Sequence, residues 1–376
     1  MSPVGCHSRW PSGATKPPGN QTQSLCVLAS SRQNFINSII WSPGYSLAVL
    51  ILALSTLFFS CGGKKEKTNE NKPARLVGVP LFQSDSAYAF VEKQVAFGPR
   101  IPNTPSHREA GDYFISKLKA YGATISVQEF NATTFDGKKL FLRNIIASYF
   151  PEKQKRILLA AHWDTRPFAD KDAINKDAKL DGASDGASGV GVLLEVARLL
   201  KMSDAPEVGV DIILFDGEDW GEKEATPQRL APPEGWDSWW CLGSQYWAKH
   251  KHKANYTAYY GILLDMLGAK NAHFFQEGHS MEYASKIVDK VWNTASRLGY
   301  SSFFVRQKEG QITDDHFYVN EIAKIPMIDV IQLDPVTGVG SFGDYHHTQK
   351  DNMSVISKET LLAVGSVLMN VIYYEE

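Results

Sequence analysis

This sequence of 376 residues lacks the excess of basic side chains that is typical of proteins that bind nucleic acids. Its 39 Lys and Arg residues are balanced by 41 Asp and Glu residues, for a formal net charge of -2, so no nucleic-acid partner is expected. No charge run or internal repeat stands out. Because 43% of the residues are hydrophobic, the chain can bury a substantial core. One large domain of roughly 250–300 residues is within the normal range.

Long apolar runs are scarce as well, and the run at residues 46–59 (SLAVLILALSTLFF) is shorter than a membrane-spanning helix requires. It is followed by Ser60, Cys61 and two glycines, and then by residues 64–67 (KKEK). This arrangement resembles a bacterial lipoprotein signal, in which Cys61 becomes the lipidated first residue. A secretory signal or a signal anchor is the alternative interpretation.

The lipoprotein interpretation implies a location and a domain organisation. We expect residues 1–60 to be an N-terminal extension with the signal segment, and residues 61–80 to be the lipidated cysteine and a flexible tether. Residues 81–376 would then form the catalytic domain. The protein would be held to the membrane by lipid on Cys61, in the cell envelope of a Gram-negative bacterium, facing the periplasm or the cell surface.

Cysteine is rare, with 4 residues in the chain. If Cys61 is acylated, Cys241 is the only thiol of the mature protein, which excludes an internal disulfide. No evident base accompanies Cys241, so its surroundings favour a buried packing role over a role as nucleophile.

From residue 81 onward, helical and strand patterns alternate, which predicts an α/β fold. Helices are predicted at residues 106–121, 188–202 and 358–374. An alternating strand is predicted at residues 124–130, and four apolar runs typical of strands buried on both faces lie at residues 156–162, 210–215, 260–266 and 326–333. The predicted fold class is a single α/β domain with a central, mostly parallel, twisted sheet flanked by helices.

Side chains that bind zinc lie at or just past the ends of these predicted strands. His162 closes one strand, Asp219 follows another, and Asp265 lies inside an apolar run, where a buried carboxylate needs a partner or a metal. Asp185 lies in the loop at residues 182–189 (GASDGASG), whose small side chains let the backbone approach a metal closely. Ligands of open α/β sheets bind beyond the carboxyl ends of the strands. The order of these residues therefore predicts a zinc enzyme, with N and O ligands and one open position.

Each of these residues has a plainer interpretation when it is taken alone. An aspartate in a glycine-rich loop usually caps a helix, and the pair His346 and His347 would usually lie on the surface. Only the combination of these residues in this order predicts a metal site.

Eight segments match one enzyme family: residues 97–100 (FGPR), 162–164 (HWD), 182–185 (GASD), 215–219 (FDGED), 242–244 (LGS), 263–269 (LLDMLGA), 312–316 (ITDDH) and 347–351 (HTQKD). From about residue 97 to its end, the chain resembles the zinc-dependent, animal-like glutaminyl cyclases (glutaminyl-peptide cyclotransferases), a branch of the zinc aminopeptidase superfamily. Residues 263–269 and 312–316 are the segments typical of the cyclases, whereas residues 97–100, 162–164 and 215–219 recur across the superfamily.

The resemblance implies the reaction and the ligands. The implied activity is conversion of the N-terminal glutamine of peptides and proteins to pyroglutamate, with release of ammonia. One zinc ion per chain would be held by Asp185, Asp219 and His347, and Glu218 would be the general acid and base. The family usually has Glu at the position of Asp219, and the shorter carboxylate must sit closer to the metal.

The resemblance also implies how the substrate is held. Asp265 and Asp314 would form a carboxylate pair near the substrate, in which one member holds a proton, and Ile312 and Phe342 would line the pocket. A tryptophan after Glu218 would stack on the substrate, and Trp220, Trp236 and Trp239 are all candidates. The aromatic residue that the family has just before the zinc histidine is replaced here by His346.

The main alternative function is that of a two-zinc aminopeptidase, which removes N-terminal residues. In such members of the superfamily, residues matching His162 and Asp265 complete a second metal site, with the residue matching Asp185 as the bridge. All of these ligand types are present in this chain, so counting ligands does not separate the two functions.

Overall fold

The computed structural model of the protein describes residues 78–223, 231–333 and 342–375. The predicted signal segment at residues 1–60, the anchor at Cys61 and nearly all of the tether at residues 61–80 lie outside the described residues. The core begins slightly before residue 81, because Val79 is already buried in it. Among the described residues, no helix is both long and apolar enough to cross a membrane.

Helices and strands alternate through most of this part of the chain. The helices are α1 (Ser84–Val95), α2 (Pro105–Ala120), α3 (Ala187–Met202), α4 (Leu242–Lys249), α5 (Gly278–Arg297), α6 (Asp315–Tyr318) and α7 (Lys358–Tyr373), and a π-helical turn (Val319–Ala323) follows α6. The strands are β1 (Thr124–Thr133), β2 (Lys139–Tyr149), β3 (Arg156–His162), β4 (Gly209–Phe215), β5 (Tyr260–Asp265), β6 (Phe274–Gln276), β7 (Phe304–Lys308) and β8 (Met327–Ile331).

The central sheet has six strands in the order β1-β2-β4-β3-β5-β8. Strands β4, β3, β5 and β8 are parallel, whereas β1 and β2 join one edge in antiparallel pairs. In the register of β3 and β4, His162 is opposite Phe215, so these two strands end side by side. The sheet is therefore mixed, with a parallel centre whose carboxyl ends lie along one edge.

The parallel strands are buried on both faces. Along β3, Ile157 and Leu159 belong to the core cluster that includes α1, α3 and α7, whereas Leu158 and Ala160 belong to the cluster that includes α4. Burial on both faces explains why these strands have continuous apolar sequences. The prediction of a single α/β domain with a sheet flanked by helices is confirmed.

Two glycines let the loop before α3 approach the sheet. A Cβ atom on Gly186 would lie 2.5 Å from the carbonyl oxygen of His162, and one on Gly189 would lie 2.4 Å from that of Leu264. Any larger residue would push the start of α3 away from the ends of β3 and β5. The small residues of this loop thus bring Asp185 to the ends of the strands.

Candidate zinc site and active-site cavity

A cavity of about 650 Å³ lies at the carboxyl ends of the parallel strands. None of the three candidate tryptophans lines its described part, whereas eight other predicted site residues do: Asp185, Glu218, Asp219, Asp265, Ile312, Asp314, Phe342 and His347. Such a position is where open α/β sheets bind their ligands. The fold therefore brings together residues that are far apart in the sequence.

The three predicted zinc ligands converge in the cavity. The Nε2 atom of His347 is 3.2 Å from Oδ1 of Asp219 and 3.6 Å from Oδ2 of Asp185. All three side chains are buried, and Oδ2 of Asp219 has no hydrogen-bond partner among the described residues. Zinc binds imidazole nitrogens and carboxylate oxygens. A buried carboxylate oxygen without a hydrogen-bond partner, such as Oδ2 of Asp219, is available to bind a cation. The residues present therefore fit a zinc ion.

The electrostatics of these side chains also favour a cation. Burial and the positive charge of Arg166 lower the pKa of His347 to about 3, so its imidazole is in the neutral form that binds metals. Burial and the negative charge of Asp185 raise the pKa of Asp219 well above its usual range. A divalent cation among these residues would offset the repulsion between the two carboxylates.

The loop that carries Asp185 is held from two sides. The carboxylate of Asp351 accepts hydrogen bonds from the backbone N–H groups of Ser184, at 2.7 Å, and Asp185, at 3.1 Å. From the other side, the buried guanidinium of Arg100 donates to the carbonyl oxygen of Gly182 at 2.7 Å. Arg100 and Asp351 do not line the described part of the cavity, and their contacts instead fix the loop of the candidate ligand Asp185.

The loop that carries Glu218 is held by Asp164. The carboxylate of Asp164 accepts hydrogen bonds from the backbone N–H groups of Glu218, at 3.0 Å, and Asp219, at 3.3 Å. Burial raises the pKa of Glu218 well above its usual range, and the negative charges of Asp219 and Asp314 add to this effect. A raised pKa is what a general acid and base requires, because such a group takes up a proton in one step and returns it in another.

A second group of potential metal ligands lies beside the first. The Nε2 atom of His162 is 3.0 Å from Oδ1 of Asp185 and 3.1 Å from Oδ1 of Asp265. Burial raises the pKa of Asp265 to about 7, and the negative charge of Asp314 contributes to the shift. Asp265 and Asp314 both line the cavity, and their action as a carboxylate pair at the substrate stays a prediction.

The structure places Trp240, and not Trp220, on the cavity. Trp240 stacks on the ring of His347, with ring centroids 6.1 Å apart and an interplanar angle of 6°, and the guanidinium of Arg166 lies 4.6 Å from its centroid. Trp220 is instead buried in a core cluster with Leu140 and Leu142. Trp240 is not among the three candidates from the sequence, because the insertion at residues 221–238 hides the spacing from Glu218. Its position two residues before the matched segment at residues 242–244 is a signal that could have found it.

The other two candidate tryptophans, Trp236 and Trp239, do not line the cavity among its described residues. Trp236 packs against Phe130, with ring centroids 6.4 Å apart, and Trp239 is largely buried. Their roles are therefore in packing.

His346 lines the cavity at the position where the family that the sequence resembles has an aromatic residue just before the zinc histidine. Its ring contacts the ring of Phe342, with centroids 4.7 Å apart, and its Nδ1 atom is 2.9 Å from Nζ of Lys171. Burial lowers the pKa of His346 well below its usual range, and the positive charge of Lys171 adds to this effect. The Nδ1 atom of the neutral ring then accepts a hydrogen bond from Lys171, which also lines the cavity.

Comparisons with known proteins agree with this site. The model of peptidase family M28 matches residues 144–372, a range that includes every candidate site residue. The glutaminyl-peptide cyclotransferase of Dictyostelium discoideum is 24% identical over 304 residues, which cover 70% of this chain and 77% of that protein.

Two solved structures share more of the sequence. Bacteroides thetaiotaomicron glutaminyl cyclase, bound to N-acetylhistamine, is 47% identical, with a TM-score of 0.75 over 79% of this chain and 100% of that one. A Zn-dependent exopeptidase from Parabacteroides distasonis is 51% identical, with the same TM-score and the same coverage of both chains. On its fold, its candidate ligands and these matches, the chain belongs to peptidase family M28.

Proposed function

We propose that this protein is a zinc-dependent glutaminyl-peptide cyclotransferase that acts on peptides and proteins with N-terminal glutamine. The observation that carries the proposal is the position of Glu218. This acid and base lies beside the zinc ligands and faces the same cavity as Ile312 and Asp314, which belong to a segment typical of the cyclases. The cyclotransferase and glutaminyl cyclase names of the relatives support it.

The reaction needs one proton to move across the substrate. The α-amine attacks the side-chain amide carbon of glutamine, a new C–N bond forms, and the bond to the amide nitrogen breaks to release ammonia. Glu218 takes the proton from the attacking amine and returns it to the leaving nitrogen. Zinc, held by Asp185, Asp219 and His347, would supply Lewis-acid polarisation of the amide carbonyl.

The remaining cavity residues hold and orient the substrate. Asp265 and Asp314 present oxygen atoms to the N-terminal residue, and one of them in protonated form can donate a hydrogen bond. Ile312 and Phe342 give the cavity an apolar side, and Trp240 lies over His347. Fixing the amine against the amide makes the attack intramolecular in an oriented conformation, which lowers the entropic part of the barrier.

The proposed function is tested by release of ammonia from a peptide that begins with glutamine. The control is the same peptide with an acetylated N-terminus, whose nitrogen is no longer a free amine. We expect ammonia from the first peptide and none from the second. Equal release from both would indicate a simple amidase and would contradict the proposal.

Replacement of Trp240 with Ala is expected to raise KM several-fold and to change kcat less. An aromatic contact typically contributes about 0.5–1.5 kcal/mol of interaction free energy in addition to the effect of burying apolar surface. Loss of this contact is expected to weaken substrate binding more than it slows the chemical step. The matched control is Trp220→Phe, since Trp220 is buried away from the cavity. That variant should lower Tm and leave KM unchanged, and a larger KM effect in Trp220→Phe than in Trp240→Ala would contradict the assignment.

A two-zinc aminopeptidase is the second candidate, because His162, Asp185 and Asp265 form a group that could hold another metal. The Zn-dependent exopeptidase at 51% identity is consistent with it. We propose one zinc ion per chain, since burial and the negative charge of Asp314 raise the pKa of Asp265 to about 7, and a protonated Asp265 is a poor ligand for a second metal. Metal analysis of the pure protein is expected to give a zinc content near one per chain. A content near two would favour the peptidase.

We further propose that the enzyme is anchored through lipid on Cys61 in the bacterial cell envelope and caps N-terminal glutamines of exported proteins. The support is the sequence of residues 46–63, with its apolar run and its cysteine. Metabolic labelling with a fatty acid should mark the wild-type protein and not Cys61→Ala. Envelope proteins should lose their pyroglutamate N-termini when the gene is deleted, and unchanged N-termini would refute this role.

A further inference from the structure

Cys241 contacts the proposed acid and base directly. Its Sγ atom lies 3.3 Å from Oε1 of Glu218, in the geometry of a hydrogen bond that the thiol donates. Its backbone N–H donates to the carbonyl oxygen of Glu218 at 2.9 Å. The thiol is fully buried and is not part of the cavity lining, so it reaches the carboxylate from behind. One residue thus binds both the backbone and the side chain of Glu218.

Backbone hydrogen bonds fix the position of Cys241 beside the loop of Glu218. Cys241 has a φ of 56° and directly precedes α4, and its carbonyl oxygen accepts from the N–H of Gln245 at 3.0 Å. The N–H of Leu242 donates to the carbonyl oxygen of Gly217 at 3.1 Å. The start of α4 is therefore attached to the loop of Glu218 at two successive residues, which keeps Cys241 within contact distance of the Glu218 side chain.

The thiol is present as S–H in these surroundings. Burial raises its pKa well above the usual range, and the negative charge of Glu218 adds to the shift. A protonated, buried thiol is a poor nucleophile but can donate a weak hydrogen bond. The sequence showed no base beside Cys241, but the fold brings Glu218 into contact with its thiol. Because the raised pKa keeps the proton on sulfur, donation to Glu218 is the chemistry available to this thiol.

We propose that Cys241 is a positioning residue for the cyclisation, which holds Oε1 of Glu218 by donating its S–H and leaves Oε2 to exchange the proton with substrate. The inference rests on the proposed function, because it assigns a role in the reaction to a residue that does not touch substrate. Without the donor, the Glu218 side chain could rotate, and fewer molecules would hold the oxygen in line with the attacking amine. A loss of alignment lowers kcat more than it raises KM.

The matched pair of variants is Cys241→Ala and Cys241→Ser, because both remove sulfur and both keep an L-residue at this φ, but only serine can donate. We expect Cys241→Ala to lower kcat by roughly tenfold, the scale of one lost hydrogen bond to a charged group, with KM changed by less than about twofold. Cys241→Ser should recover most of kcat. The inference is overturned if Cys241→Ala retains wild-type kcat, or if folded Cys241→Ser is as impaired as Cys241→Ala.

Infrared spectroscopy provides a second readout, which does not depend on the folding of the alanine variant or on substrate. The difference between the wild-type spectrum and that of Cys241→Ser isolates the S–H stretching band of Cys241. We expect this band at a lower frequency than that of a free thiol, and we expect its frequency to shift when the same difference is measured in the Glu218→Gln background. A band at the free-thiol frequency that does not shift with Glu218→Gln would overturn the contact. If the wild type releases no ammonia, the proposed function fails, and this spectrum still decides the contact.

Discussion

Replacement of Glu218 with Gln is expected to reduce kcat by about 10²–10⁴-fold, the range typical for loss of a general acid or base, while zinc remains bound. Glutamine has the shape of glutamate, but its amide cannot take the proton from the attacking amine. Glu218 is not among the three residues that converge on the zinc position, so metal content should match that of the wild type. The measurement is steady-state turnover of a Gln-initial peptide, with zinc determined on the same sample.

Glu222→Gln is the matched control for this variant. Glu222 lines the same cavity and follows Glu218 on the same loop, but its contact with the site is a backbone carbonyl that accepts from Arg166 at 3.2 Å. The substitution leaves that carbonyl in place, so activity should stay close to wild type. Retained turnover in Glu218→Gln, or an equal loss in both variants, would remove Glu218 from the mechanism.

Replacement of His347 with Asn is expected to remove zinc and activity together. His347 has a φ of 55°, a conformation that asparagine adopts more readily than most residues, so the backbone should be preserved. The amide is a poor substitute for imidazole as a zinc ligand. We expect metal affinity to fall by more than the roughly 10–100-fold typical for loss of an outer-shell partner. The measurement is zinc content after dialysis against a weak chelator.

His346→Asn is the neighbouring control. His346 also lies near Asp185, with Nε2 3.9 Å from Oδ2, but its other ring nitrogen is bonded to Lys171. We expect this variant to keep its zinc and to show a change in KM, since His346 forms a wall of the cavity. Loss of zinc in His346→Asn, with zinc retained in His347→Asn, would exchange the roles of the two histidines.

The sequence allowed the parallel centre of the sheet to be predicted because its strands are buried on both faces and are therefore continuously apolar. It was less informative at the edge. Strand β2 (Lys139–Tyr149) alternates between exposed and buried residues only in its first half, and helix α5 (Gly278–Arg297) is polar over most of its surface. Strand β2 therefore lacks a single clear period and was missed. Helix α5 is amphipathic at the helical period, so its pattern was present in the sequence and was not recognised.

The same contrast applies to the site. The candidate ligands Asp185, Asp219 and His347 were named through the family resemblance, whereas the strand ends alone indicated only a group of side chains able to bind zinc. The residues that hold the ligands could not be predicted, because Arg100, Asp164 and Asp351 act through hydrogen bonds to distant backbone atoms. Trp240 was missed for a related reason, since nearness in sequence to Glu218 does not decide which tryptophan lines the cavity.

The central claim is that the cavity catalyses cyclisation of an N-terminal glutamine. Its most direct test is mass spectrometry of two peptides, one beginning with Gln and one with Leu, each incubated with the zinc-loaded protein. The account predicts that the first peptide loses the mass of one ammonia while the second stays unchanged. Loss of the whole N-terminal residue from either peptide would contradict the account, and His162 and Asp265 would then be ligands of a second zinc ion in an aminopeptidase.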